Sequence, residues 1–249
     1  MATDKRSRAD AHGHGHGHGS GYGHHHRDVS GGWLRPAVFG AMDGLVTNVS
    51  LIAGVGGGGG SAHTIVLTGL AGLAAGAFSM AAGEFVSVSS QNELVQSEVN
   101  QERHELEHNA AFEQAELASM LRARGVSAPT ARQAAAEISA DPDKALAVHA
   151  LEELGVNPGE LPSPLVAAVA SLATFAVGAL IPLLPYLAGL HLLWAALGLG
   201  AVAAVAGGGM VARLTDRPFW RGALRQLVLG AGAAGVTYLI GLLVGHVTG

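Results

Sequence analysis

Residues 164–210 read PLVAAVASLATFAVGALIPLLPYLAGLHLLWAALGLGAVAAVAGGGM, without one Asp, Glu, Lys or Arg. A helix needs about 20 apolar residues to cross the roughly 30 Å hydrocarbon core of a bilayer. The run is long enough for two such spans, placed at 164–186 and 190–212, with the break at LPYLAGLH (184–191), where Pro and Gly interrupt the helix. The same pattern extends outward. Between residues 36 and 85 the only charges are Asp43 and Glu84, giving spans at 36–57 and 63–88 on either side of GVGGGGGSAH (54–63). Between 222 and 249 the only charge is Arg225, giving a fifth span at 222–246. The fold class is therefore an all-α membrane protein with five transmembrane helices. The second span meets no Gly or Pro as it enters polar sequence, so its helix is expected to continue into water.

The composition agrees. Only 13% of residues are charged, against about 25% in soluble domains. The absence of cysteine excludes disulfides, thiolate metal sites and cysteine nucleophiles. A net charge of −5 gives no reason to expect nucleic acid as a partner. Arginine outnumbers lysine twelve to two, and Ala and Gly abound, which reads as the product of a GC-rich, bacterial genome. Lys and Arg concentrate on the cytoplasmic side of membrane proteins. Here they lie before span 1, between spans 2 and 3, and around the link between spans 4 and 5, at Arg213, Arg217, Arg221 and Arg225. The N-terminus is thus expected in the cytoplasm and the C-terminus outside. The polar N-terminus shows no secretory signal.

The chain divides into a His/Gly-rich tail (1–32), spans 1 and 2 (33–88), an insert (89–163) and spans 3 to 5 (164–249). The insert carries thirteen acids against five bases, a local net of −8. GVSAPTAR (125–132) and ADPDKAL (140–146) each place a capping Ser or Asp before an early Pro, a helix-start signal. Three or more short helices are expected there, on the cytoplasmic side. Inside the spans, Gly40/Gly44, Gly72/Gly76 and Gly241/Gly245 are small-xxx-small pairs that permit close helix approach in lipid. We read Gly40 and Gly44 as the place where span 1 approaches a second copy of the chain.

Three features carry chemistry. First, HELEH (104–108) satisfies H-E-x-x-H, the zinc-protease pattern. A protease needs a third ligand downstream, and none follows in a recognisable position, so the match reads as incidental. Second, the acids of the insert fall at helical spacing. Glu98, Glu102 and Glu105 occupy one helix face, Glu113 and Glu116 stand at i, i+3, and His149 and Glu153 at i, i+4. Stacked carboxylates repel, and a divalent ion such as Fe²⁺ or Mn²⁺ relieves that repulsion. Glu105 and His108 also form a Glu-x-x-His element. Di-iron bundles use two of these, and one is present. Third, Asp43 and Glu84 sit inside spans, where ionisable groups are costly and usually functional. Met80 lies one turn from Glu84, and the three share one depth zone near the cytoplasmic end.

AMDGLVTNVSLIAGV (41–55), AGAFSMAAGEFVSVSSQNEL (75–94) and ATFAVGALIPLLPY (173–186) closely resemble signature stretches of the vacuolar iron transporter family. The resemblance covers about residues 33–248. It implies export of Fe²⁺, and often Mn²⁺, from the cytosol in exchange for protons, through a homodimer interface lined by the first two spans. It places the family's membrane aspartate, methionine and glutamate on Asp43, Met80 and Glu84, and its insert glutamates on Glu102, Glu105, Glu113, Glu116 and Glu153. His149 fills the place of a sulfur or nitrogen ligand. The tail HGHGHGHGSGYGHHH (12–26) departs from the family. It reads as a flexible, native, accessory metal binder through His12, His14, His16, His18, His24, His25 and His26, able to gather Fe, Zn²⁺, Ni²⁺ or Co²⁺ and dispensable for transport. Placement follows the organism: a bacterial plasma membrane, or a vacuolar membrane in a eukaryote. The alternatives are a membrane-anchored iron-storage or ferroxidase module and, behind it, the metalloprotease.

Overall fold

The computed structural model describes residues 32–248. The histidine tail expected at 1–32 lies outside them except for its last residue. The described chain is helical, with five helices long and apolar enough to cross a membrane. They are α1 (Leu34–Gly57), α2 (Ala62–His108), α6 (Pro164–Leu180), α8 (Leu193–Leu214) and α9 (Phe219–Thr248). Between α2 and α6 lie α3 (Ala110–Ala123), α4 (Ala128–Ser139) and α5 (Pro142–His149).

Helix α1 is the centre of the bundle and packs against the other four spans, with α2 and α6 also paired with each other and α8 with α9. The sequence explains why. Its glycines let neighbouring backbones come close: a Cβ on Gly44 would strike the Phe175 carbonyl of α6, and one on Gly40 would lie 2.5 Å from the Ser171 carbonyl oxygen. On the far half, Gly241 of α9 meets Gly54 in the same way. Gly40 and Gly44 therefore serve packing within one chain. The expectation that they approach a second copy is corrected, because both are buried against α6. Asn48, fully buried within AMDGLVTNVSLIAGV, adds a polar tie by donating from Nδ2 to the Ala179 carbonyl at 2.6 Å. In lipid, such a bond holds two spans together where hydrophobicity does not discriminate between them.

This packing gives a direct test. Gly178→Ala would drive a methyl into the Ala41 carbonyl of α1, while nothing lies within 4 Å of a Cβ on Gly198. Overpacking costs about 1–3 kcal/mol. In detergent, Gly178→Ala is expected to lower the thermal midpoint by about 5 °C or more, and Gly198→Ala to leave it unchanged or slightly raised. Equal midpoints for the two variants would refute the α1–α6 contact.

Helix α2 starts at a Ser61 cap, whose Oγ accepts from the Thr64 amide at 3.2 Å. It then runs 47 residues without a break. At 1.5 Å per residue that is about 70 Å, more than twice the membrane core. Its C-terminal half leaves the bundle and forms the spine of the insert, as the absence of Gly and Pro predicts. After α6, a short 3-10 turn (Ile181–Leu183) and α7 (Leu184–Leu187) follow from Pro182 and Pro185, so the third span is kinked at its far end. Both α4 and α5 begin where the capping signals stand, though only Asp141 makes a capping bond, the Ser127 hydroxyl pairing instead with that of Thr130 at 2.8 Å. Ser127 precedes α4, and Asp141 Oδ1 accepts from the Lys144 amide at the start of α5.

Candidate metal centre at the end of the long helix

Two small apolar clusters assemble the insert. Val99 of α2 packs with Leu146 and Ala150, docking α5 on the spine. Leu117 and Ala118 of α3 pack with Ala135 of α4. Arg124 reaches Glu152 at 2.6 Å and ties the end of α3 to the turn after α5. That turn is a single π-helical stretch, Ala150–Leu154, closed by Gly155 in the left-handed region at φ 68°. Such one-turn π insertions often occur at functional sites because they re-aim side chains.

The result is a cluster drawn from three helices and the π turn: Glu102, Glu113, His149 and Glu153, each offering a ligand atom within 4.8 Å of the others. His149 is the hub. Its Nδ1 lies 3.0 Å from Glu102 Oε1, 3.0 Å from Glu153 Oε1 and 3.8 Å from Glu113 Oε2. His149, Glu102 and Glu113 are buried, and Glu153 forms the exposed rim. Nδ1 makes its one hydrogen bond with Glu153, so the buried Glu102 Oε1 keeps only the ion-pair contact with His149, and the buried His149 Nε2 has no hydrogen-bond partner. Leaving buried polar atoms unmatched costs about 1–3 kcal/mol each.

The electrostatics follow. Burial pushes the Glu102 carboxyl up to about 7, and Glu153 adds to the shift, while His149 opposes it. Burial also raises Glu113, with Glu116 contributing and His149 again opposing. Three carboxylates and one imidazole in a closed space are short of positive charge. A divalent cation would satisfy the orphaned oxygen and offset the repulsion. The donor set, mostly oxygen with one nitrogen, suits Fe²⁺ or Mn²⁺.

The residues expected from sequence separate into two groups. Glu102, Glu113, His149 and Glu153 come together. Glu98 is exposed one turn nearer the membrane, and Glu105 and Glu116 are half-buried outside the four-residue group. Glu105 still bears on the site, because its charge raises both Glu102 and Glu113. Its Oε1 accepts from Gln101 at 3.1 Å. In the spans, Asp43 is exposed on the surface of the single chain, while Met80 and Glu84 are half-buried. Met80 packs on Phe175 and Ala77. Sequence reasoning missed Asn48, although it stands inside a quoted motif, since a buried amide and a surface one look alike in sequence.

The VIT family model matches residues 34–242. The chain belongs to the VIT family. A protein named vacuolar iron transporter from Acanthamoeba castellanii is 36% identical over 214 residues, covering 81% of this chain and 78% of its own. Vacuolar iron transporter homolog 1 of Oryza sativa subsp. japonica is 37% identical over 217 residues, covering 83% and 71%. Vacuolar iron transporter homolog 3 of Arabidopsis thaliana is 35% identical over 219 residues, covering 86% and 84%. The family match runs through four of the five spans and the insert, and ends within α9. The VIT-family assignment therefore takes in Asp43, Met80, Glu84 and all four cluster residues, and the chain is an integral membrane protein.

Proposed function

We propose that this VIT-family chain is a transporter, not an enzyme, that moves Fe²⁺ and Mn²⁺ out of the cytosol in exchange for protons. The observation that carries the reading is the cluster of Glu102, Glu113, His149 and Glu153, buried except at Glu153, whose Glu102 stands on the same unbroken helix that carries Met80 and Glu84. The insert captures the ion, with Glu98, Glu105 and Glu116 as an outer acidic ring. Asp43, Met80 and Glu84 pass it through the span. The names of the relatives support iron as the cargo.

A homodimer supports the path. Asp43 lies on an exposed face of α1, and a carboxylate facing lipid costs about 2.5–3.5 kcal/mol at mid-span. A second copy covering that face removes the contact with lipid, and two-fold symmetry then brings both Asp43 side chains towards one axis. The distribution of Lys and Arg supports a cytoplasmic tail and insert with the C-terminus outside, in a bacterial plasma membrane or, in a eukaryote, a vacuolar one. The tail histidines gather metal near the mouth without taking part in translocation.

Reconstitution in liposomes tests this reading. With acid trapped inside, Fe²⁺ and Mn²⁺ are expected to enter against their own gradient while the lumen loses protons, and collapse of the proton gradient should stop concentrative uptake. Uptake indifferent to the gradient would refute antiport. No uptake of either ion would refute transport.

A further inference from the structure

His104 and His108 belong neither to the four-residue cluster nor to the proposed path. On α2, at about 100° per residue, they stand roughly 200° and 240° round from Glu102, on the opposite face. The rings of this exposed pair lie with centroids 3.9 Å apart and planes tilted by 36°. His108 Nδ1 is 2.8 Å from the His104 backbone carbonyl. A carbonyl oxygen can only accept, so Nδ1 carries the proton and Nε2 keeps its lone pair. Metal-binding histidines are commonly held this way, with the second ring nitrogen donating to a carbonyl. The pair also ends α2, where the helix dipole favours a cation.

We infer that His104 and His108 form a second metal site, a two-histidine chelate for a borderline divalent ion of the Zn²⁺, Ni²⁺, Co²⁺ or Cu²⁺ class, completed by water. Imidazole suits these ions, whereas carboxylates suit the harder ones. The only group of three or more potential ligand residues found among the described residues is the cluster on the other face. The pair thus lacks the three protein ligands of a catalytic zinc, and HELEH holds metal without hydrolysing peptides. This inference does not depend on transport.

The test uses the full-length chain in detergent, with His12, His14, His16, His18, His24, His25 and His26 replaced by Gln so that the tail does not mask the signal. Ni²⁺ titration calorimetry gives the number of tight equivalents, and Cu²⁺ electron paramagnetic resonance gives the nitrogen couplings. His104→Gln with His108→Gln is expected to remove one equivalent and the two-nitrogen signature. Each single change should weaken that equivalent by about tenfold or more, since chelation makes the second contact intramolecular. In a Glu102→Gln/Glu113→Gln background the same equivalent should persist. An unchanged stoichiometry and spectrum in the double variant would overturn the inference. So would singles of full affinity, or loss of the equivalent with the carboxylates alone. These side chains are exposed, so misfolding is not at issue, and unchanged thermal midpoints verify it.

Discussion

Asp43→Asn is expected to reduce metal-driven proton movement in liposomes to background, with Fe²⁺ uptake falling along with it. Asp43 is about 13 Å along α1 from Leu34 at 1.5 Å per residue, within an otherwise uncharged span. Asparagine keeps the shape and removes the charge. Two facing carboxylates in a medium of low dielectric need a cation or a proton between them. Two facing amides need neither, so they cannot exchange one for the other. The metal affinity of the insert should stay within about twofold. Even Glu84, the acid on α2 proposed for the pathway, is separated from Glu102 by 18 helical residues, or about 27 Å, beyond the ~8 Å screening length of physiological salt. Asp43→Glu, which restores a carboxylate one methylene longer, should recover part of the uptake. Wild-type rates and normal coupling in Asp43→Asn would make Asp43 structural and remove the proposed path.

What was legible in the sequence depended on what each signal measures. Charge-free runs report burial in lipid directly, and a helix long and apolar enough to cross a membrane stands at each of the five. Caps are local, so Ser127 and Asp141 announced α4 and α5 before any tertiary contact was known. The convergence of side chains is not local. Helical spacing put Glu98, Glu102 and Glu105 on one stripe of α2. Which rung of that stripe meets His149 depends on how Val99, Leu146 and Ala150 dock α5. That docking selects Glu102 and leaves Glu98 in solvent. The π turn that brings Glu153 to His149 follows no 3.6-residue period, although the i, i+4 spacing of the pair was visible. The glycine pairs show the same limit. Sequence records that Gly40 and Gly44 are small, and only the packing shows that α6 takes the space. HELEH reads as incidental for a protease because no third ligand follows it in a recognisable position. The two rings and the His108–carbonyl bond give it another chemistry.

Glu102→Gln combined with Glu113→Gln is expected to weaken Fe²⁺ and Mn²⁺ binding by about a hundredfold or more, while making the metal-free protein more stable at alkaline pH. Both effects have one source. The wild-type carboxyls are raised by burial and by each other's neighbours. A raised folded-state value means that the native chain binds protons more tightly than the unfolded chain, so its stability falls as pH rises. For Glu102 that loss begins above its ordinary 4.5 and is complete past about 7. The metal-free wild type should therefore melt higher at pH 5.5 than at pH 8. Glutamine carries no charge to bury, so the double variant should show a flatter profile and, at pH 8, a midpoint higher by about 5 °C. Metal reverses the order. Two charged ligands are missing, so Fe²⁺ or Mn²⁺ that stabilises the wild type by mass action should barely move the variant. A structural role for these glutamates predicts the opposite pattern: a variant less stable than wild type at pH 8 without metal. Wild-type affinity in the variant would place the ion elsewhere. If Glu102 and Glu113 are instead a site whose native charge is held for a cation, the protein is least stable at high pH without metal and regains that stability when the ion arrives.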